Sequence, residues 1–413
     1  MYPTISDLIK DLFGINILLP FKSYGVFLLL AFLFCYFISV YEMKRKEKQG
    51  LLKPITKKVQ IGVVTTTLEY ALSGVLGFII GYKLIAVIIE YQAFVAQPKQ
   101  ILFTTDGSLW GGILGIVITV LFIWLSDIKE NIPKPKWIIK KVRPYEHVKK
   151  ILLIAFIFGL LGTKIFADLE KWELLIARPI QTVFSYNGIS FLGGLLLGSV
   201  AVFVYAKRNF LTVIHLLDIA AIVIPITYAI GRIGCQISGD GCWGVYNEAY
   251  AVSGTIPERA YKLGHVASFR PPNWLSFIPD WFFAYDYPNN VLNKGVLISD
   301  CTSSHCCVLA APVFPTPLYE SILMFLVFGV LVYFRKKIKV PGILFTLFLI
   351  FTGLERIFIE KIRINNNYNI LGFEFTQAEI ISFFMVIGGV IAFAILKKYS
   401  KIKIAKYMVT NQN

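Results

Sequence analysis

The chain is 413 residues long and 56% hydrophobic, with only 16% of its side chains charged. Soluble domains carry about a quarter charged residues, so this composition excludes an ordinary soluble globular protein and points to a polytopic membrane protein. The net charge of +16 is packed into short loops rather than spread over a surface, which argues for membrane orientation and against nucleic-acid binding.

Apolar runs of about 18–25 residues are long enough to cross a bilayer. They predict about nine transmembrane helices, near 21–41, 66–92, 108–126, 150–168, 189–206, 212–236, 317–334, 342–361 and 377–396. The connections then alternate in charge. Lys44-Arg45-Lys46 with Lys57-Lys58, the stretch 129–150, Lys207-Arg208, Arg335-Lys336-Lys337 and Lys397-Lys398 all fall on one side. Positively charged loops stay in the cytosol, so the amino terminus is expected outside and the carboxyl terminus inside. Residues 1–22 lack the basic head of a secretory signal, and no cleaved peptide is expected. Pro133, Pro135 and Pro144 stiffen the long basic loop, which suits orientation and contact with anionic membrane lipids.

The fold class is therefore an all-α polytopic membrane protein with a small extracytoplasmic cap. Within it lies a duplication. A shift of 81 residues matches Gly81 with Gly162, Lys83 with Lys164, and Ala96, Pro98 and Gln100 with Ala177, Pro179 and Gln181. Phe103 and Gly107 pair with Phe184 and Gly188, and after a one-residue slip Gly111-Gly112 pairs with Gly193-Gly194. The organisation reads as a first span and basic loop (1–59), an extra repeat copy (60–150), core spans (151–241), the cap (242–316) and three last spans with a basic tail (317–413).

The cap contains Pro271-Pro272, Trp274, Trp281, Tyr285 and Tyr287, and also Cys242, Cys301, Cys306 and Cys307. Disulfides persist in an oxidising compartment, so one or two bridges are expected, with connectivity open. The alternative, a metal site of His305, Cys306 and Cys307, fits no familiar zinc spacing. Cys35, inside the first span, reads as packing.

The stretch around which the chain is organised is Gly231-Arg232-Ile233-Gly234-Cys235-Gln236-Ile237-Ser238-Gly239-Asp240-Gly241-Cys242-Trp243-Gly244. It places ionisable groups and glycines where a span opens at one surface. A charge at membrane depth is a functional-site candidate by default, and glycine lets backbone approach a ligand closely. Counting helical rise from the basic end of each span puts Lys164 about 20 Å up, Arg232 about 30 Å and Arg356 about 20 Å. Glu360 and Arg363 follow Arg356 on one helical face, and Asp168 follows Lys164 by one turn. A structural ion pair accounts for Arg356–Glu360 taken alone. A shelf of cations in the outer half of the bilayer fits an anionic lipid head group, because guanidinium stays charged and matches phosphate oxygens.

These residues resemble the prolipoprotein diacylglyceryl transferase family, whose signature runs approximately G-R-x-G-N-F-x-N-G-E followed by W-G. Arg232, Gly239, Asp240 and Trp243-Gly244 stand at the matching places. Ser23-Tyr24-Gly25 is similar to the family's W-Y-G. Asn187-Gly188-Ile189-Ser190-Phe191-Leu192-Gly193-Gly194 is similar to D-G-G-x-S-F-H-G-G with one residue dropped. Pro315-Thr316-Pro317-Leu318-Tyr319-Glu320 is similar to H-P-S-Q-L-Y-E, and Arg356, Glu360 and Arg363 to its R-x-x-x-E-x-x-R helix. The likeness covers the first span and the fourth to ninth, with the first repeat copy as an insertion. Three positions depart from the pattern: Leu192 replaces the family histidine, Cys235 replaces the signature asparagine, and one extra residue lies between Asp240 and Trp243.

The resemblance implies transfer of the diacylglyceryl group from phosphatidylglycerol to the lipobox cysteine of a preprolipoprotein in the bacterial inner membrane. A thioether forms and glycerol phosphate leaves. Arg232, Arg356, Asp240, Glu360 and Tyr24 are the catalytic candidates. Arg363, Lys164, Ser190, Gly193, Gly194, Cys235, Gly239 and Gly244 join Arg232 and Arg356 as substrate-binding candidates. No metal or organic cofactor is implied. The repeat and the missing histidine leave two other readings open: an outward-facing lipid or small-anion transporter, and an inactive lipid-binding relative.

Overall fold

The structure, a computed structural model, describes residues 1–19, 21–61, 65–96, 106–129, 136–183, 190–299, 301, 304–365, 367–370 and 373–410. Its long helices are α1 (Ser23–Lys48), α2 (Thr67–Ile89), α3 (Leu109–Lys129), α4 (Val148–Glu170), α5 (Phe191–Arg208), α6 (Val213–Ser238), α7 (Thr316–Phe334), α8 (Ile343–Glu360) and α9 (Gln377–Thr410). Among the described residues seven helices are long and apolar enough to cross a membrane, which makes the chain a polytopic all-α membrane protein. The expected spans at 189–206 and 342–361 coincide with α5 and α8, which stand outside that set. The reason for α8 is charge, since its last turns carry Glu355, Arg356 and Glu360. Large apolar side chains such as Leu72, Leu76, Ile80, Phe122 and Ile391 stand exposed on these helices, as a lipid-facing surface requires.

The basic connections are not simple loops. Ile55–Ile61 and Lys136–Val142 pair as a two-stranded sheet, their β-branched residues suiting extended backbone. Pro144 opens a 3-10 turn; Pro133 and Pro135 lie outside the described residues, as do Pro98, Gln100, Phe103, Phe184 and Gly188 of the repeat.

The chain forms two compact units, one of residues 2–23 and 56–142, the other of Met1 with residues 24–55 and 143–413. In the smaller unit, the helix Ile5–Phe13 is closed at its start by a Thr4–Asp7 capping box and at its end by left-handed Gly14. The α2–α3 hairpin is the unit's main packing. A Cβ on Gly81 would sit 2.1 Å from the Gly111 carbonyl oxygen, so the two helices touch backbone to backbone. The Ser108 amide donates to the Tyr82 carbonyl at 3.0 Å.

The larger unit repeats this construction in α4–α5. A Cβ on Gly162 would lie 2.3 Å from the Gly193 carbonyl oxygen, and the Ser190 amide donates to the Thr163 carbonyl at 3.1 Å. Equivalent contacts thus fall at the shifts read from the sequence. Helix α6 is the most enclosed of the seven long apolar helices, with half of its apolar stretch buried. It packs on α7 and α8 through Ala221, Ile222, Leu331, Leu344 and Phe348, and on α1 through Ile226, Ile230 and Ala31. At one end of this bundle Lys46 pairs with Asp218 at 3.2 Å, and Asp218 accepts the Gly342 amide at 3.0 Å. Fully buried Glu42 sits between Arg45, at 2.8 Å, and Arg335.

Between α6 and α7 the chain forms the cap, built from short turns and two-residue strand pairs. Buried side-chain amides hold it together. Asn247 donates to the Phe269 and Phe283 carbonyls and accepts the Phe269 amide, while Asn290 donates to the Tyr287, Lys294 and Cys307 carbonyls. Cys301 and Cys306 form a disulfide, whereas Cys242 and Cys307 carry free thiols. Bridging of Cys306 removes it from the alternative metal set with His305. Cys242, expected among the bridging candidates, lies instead against Cys235, because the turn after α6 folds it back on that helix.

The hairpin contact makes a direct prediction. Gly162→Ala forces a Cβ against a fixed carbonyl, so it is expected to destabilise the protein by about 1–3 kcal/mol. Gly159→Ala, whose Cβ would have 3.9 Å of clearance, leaves the thermal midpoint of detergent-purified protein unchanged. Equal midpoints for both variants overturn the packing argument.

Candidate functional site

Glu320 stands one turn into α7 with no solvent exposure. A buried carboxylate is costly unless paired, and three guanidinium groups pair with this one. Arg232 of α6 places Nε 2.5 Å from Oε2; Arg356 of α8 places Nη1 2.9 Å from Oε1; Arg363, just beyond α8, places Nη1 2.5 Å from Oε1. Arg356 also reaches Glu360 through Nη2 at 3.2 Å, and Asn365 donates to the other Glu360 oxygen. The Arg232 guanidinium lies over the Tyr228 ring, 5.0 Å from its centroid. The three arginine side chains keep 15, 23 and 15% exposure. Each is therefore anchored on Glu320 while part of its side chain stays exposed.

Backbone contacts explain why the segments meet here. The Gly244 amide donates to the Phe314 carbonyl at 2.8 Å, and the Val245 amide to the Ile362 carbonyl at 2.9 Å. A Cβ on Gly244 would lie 2.3 Å from the Ile362 oxygen and 2.7 Å from Thr316 Cγ2. No larger residue leaves room for the signature strand between the start of α7 and the Arg363 segment. Thr316 Oγ1 adds a bond to the Cys242 carbonyl at 2.9 Å.

Gly239 ends α6 with φ 62°, and Gly241 follows with φ 91°. Only glycine adopts such angles readily, and a Cβ would meet Asn290 at one and Leu292 at the other. The double reversal folds Asp240 and Cys242 back over Cys235, so that their ligand atoms all lie within 4.8 Å of one another. The Cys242 amide donates to Asp240 Oδ1 at 3.1 Å. The neighbouring Cys235 side chain holds the Cys242 thiol below its ordinary pKa. Tyr24 lies within electrostatic reach of Arg232, Cys235, Asp240 and Cys242; close approach of Phe27 to Gly234 brings α1 there.

The other expected residues have contacts of their own. Lys164 pairs with Asp168 at 2.7 Å and donates to the Thr182 carbonyl at 2.8 Å. Ser190 donates to Glu170 at 2.9 Å. Gly193 and Gly194 lie in the helix contact with Gly162, Thr163 and Phe166, where packing accounts for them. Asn187, Gly188 and Ile189 are outside the described residues. Two acids at the site carry little signal in the sequence: Glu320 is one polar residue of the motif at 315–320, and Glu355, buried within reach of all three arginines, has only its place beside Arg356.

Fold and site together define a polytopic α-helical membrane protein with a buried carboxylate that gathers three partly open arginines. The family model described as prolipoprotein diacylglyceryl transferase matches residues 11–134 and 129–395. The chain belongs to the prolipoprotein diacylglyceryl transferase family. It is 27% identical over 254 residues to a Leptospira interrogans protein named phosphatidylglycerol–prolipoprotein diacylglyceryl transferase, covering 55% of this chain and 64% of that relative. Proteins of the same name in Clostridioides difficile and Streptococcus pyogenes are 26% and 27% identical, over 63% and 60% of this chain and 83% and 78% of their own lengths. The matched part thus amounts to somewhat under two thirds of the Leptospira relative.

Removing the shared carboxylate tests the arrangement. Glu320→Gln leaves buried cations uncompensated and is expected to cost about 3–5 kcal/mol of stability. Added inorganic phosphate should raise the thermal midpoint of the variant more than that of the unaltered protein, since the freed guanidinium groups seek an anion. A variant as stable as the original, with no response to phosphate, contradicts the geometry.

Proposed function

We propose that this protein transfers the diacylglyceryl group of phosphatidylglycerol to the lipobox cysteine of a preprolipoprotein. The observation that carries the reading is the convergence of Arg232, Arg356 and Arg363 on Glu320. Glu320 fixes the direction of each guanidinium before substrate arrives, and a preorganised donor set stabilises charge that develops in the transition state. The lipid phosphodiester binds at the open edges of the arginines. The acceptor sulfur attacks the diacylglyceryl carbon, the carbon–oxygen bond breaks, and its electrons leave on a phosphate oxygen held by those cations. Glu360 positions Arg356, and Tyr24 contributes a phenol beside Arg232. Glycine at 239 and 244 sets the backbone fit.

The topology that serves this chemistry has nine spans, with α5 and α8 crossing alongside the seven more apolar helices. The amino terminus lies outside, the carboxyl terminus inside, and the site faces the outer leaflet of the bacterial inner membrane. In that frame the ionisable residues of α8 line the protein interior, where charges at membrane depth belong. Residues 60–150 are a duplicated copy of the α4–α5 region, supported by the matching glycine contacts at Gly81 and Gly162.

Purified protein incubated with labelled phosphatidylglycerol and a lipobox peptide is expected to place label on the peptide cysteine. Arg232→Ala should abolish transfer while the protein still inserts, and Arg232→Lys should not restore it, because a point charge lacks the planar donor fork. Full activity of Arg232→Ala overturns the assignment. Passage of label across vesicles without peptide labelling favours the transporter, and retention alone favours an inactive lipid binder.

A further inference from the structure

The three arginines and their carboxylates account for the leaving phosphate, but not for the acceptor thiol. That thiol must lose its proton before it attacks carbon. Glu320 and Glu360 are tied to arginines, and Glu355 lies buried within reach of the same guanidinium groups. His147 bonds Tyr205, His215 faces Lys46 and Asp218, and His305 bonds Ser304 in the cap. Next to Arg232 and Tyr24, by contrast, stands the cluster of Cys235, Asp240 and Cys242.

We propose that Cys235 Sγ, Cys242 Sγ and an Asp240 carboxylate oxygen bind a zinc ion whose fourth position takes the acceptor cysteine. Two thiolates and a carboxylate form a soft, trianionic donor set that suits zinc. Bond lengths of about 2.3 Å to sulfur and 2.0–2.2 Å to oxygen imply ligand separations of roughly 3.5–3.8 Å. The present spread, within 4.8 Å, closes to that by side-chain rotation. Three protein ligands and one open position is the pattern of catalytic rather than structural zinc.

The site is built into the fold rather than left to chance. Left-handed Gly239 and Gly241 supply the reversal, and the Gly239 amide closes α6 on the Cys235 carbonyl at 3.0 Å. Thr316 holds the Cys242 carbonyl, the Val291 amide holds Ser238, and Tyr287 hydroxyl donates to Gln236 at 2.7 Å. The Cys242 amide fixes one Asp240 oxygen, the outer support that ligating carboxylates need. Asp240 is also what separates this cluster from a simple thiol pair. A carboxylate contributes nothing to a disulfide, and the nearest cation, Arg232, already spends its Nε on Glu320.

The chemical consequence deepens the transferase reading and rests on it. A thiol that coordinates zinc is deprotonated outright, so the acceptor releases its proton to water on binding and needs no side-chain base. The thiolate then forms the carbon–sulfur bond as the carbon–oxygen bond breaks. The products are the thioether, glycerol phosphate and one proton, which balances the phosphodiester and thiol consumed.

Full-length protein purified in detergent without reductant or chelator is expected to carry about one equivalent of zinc. Cobalt(II) in its place should give a thiolate-to-metal charge-transfer band. Cys242→Ser and Asp240→Asn should each weaken cobalt binding at least about tenfold, and Asp240→Asn keeps the test open if a cysteine variant fails to fold. A lipobox peptide should shift the cobalt ligand-field bands, and its cysteine-to-alanine form should not. Absence of bound metal, binding unchanged in the variants, or a Cys235–Cys242 disulfide found by mass spectrometry overturns the site. Lipid transfer that persists in metal-stripped protein overturns the zinc role while the transferase reading stands. Metal binding with the peptide response but without lipid transfer keeps the site and removes that reading.

Discussion

Everything near the candidate site depends on one fully buried carboxylate. Glu320 would be intolerable alone in the interior, and three arginines would repel one another without it. Together they bind α6, α7, α8 and the segment after α8 into one arrangement. In the proposed reading, cations gathered by an internal anion hold a phosphate in a geometry that precedes the ligand.

Glycine makes the arrangement sterically possible, in two different ways. At Gly244 absence of a side chain lets the signature strand pass against the Ile362 carbonyl and Thr316. At Gly239 and Gly241 the requirement is conformational, since positive φ turns the chain back over the end of α6. The same economy of volume holds α4 on α5 and α2 on α3 in their separate units. A helix pair in lipid gains little from hydrophobic burial, so close backbone approach carries much of its packing.

Much of this was legible in the chain itself. Apolar runs located the long helices, because a bilayer sets a minimum length whatever the tertiary packing. The glycine contacts of both helix pairs were legible in Gly81 with Gly162 and in Gly111 with Gly193, since a two-helix contact uses residues at fixed spacing. Arg232, Arg356, Glu360 and Arg363 stood out because charge is rare in such runs. Glu320 did not stand out as their partner, for nothing in a linear sequence says which of several acids will face a given arginine. Lys164, placed near the arginines by depth, pairs with Asp168 one turn on, a partner that the spacing along the helix already offered.

The sequence by itself determined the class of protein, the positions of its helices and the residue types available for chemistry, since these follow from local composition and spacing. Only the tertiary structure decided which groups meet. It brought three arginines to Glu320, and it laid Cys242 and Asp240 over Cys235 rather than pairing Cys242 with another cap cysteine. Such meetings depend on helix rotation and chain reversal, quantities summed over many distant contacts and written in no single stretch of the chain.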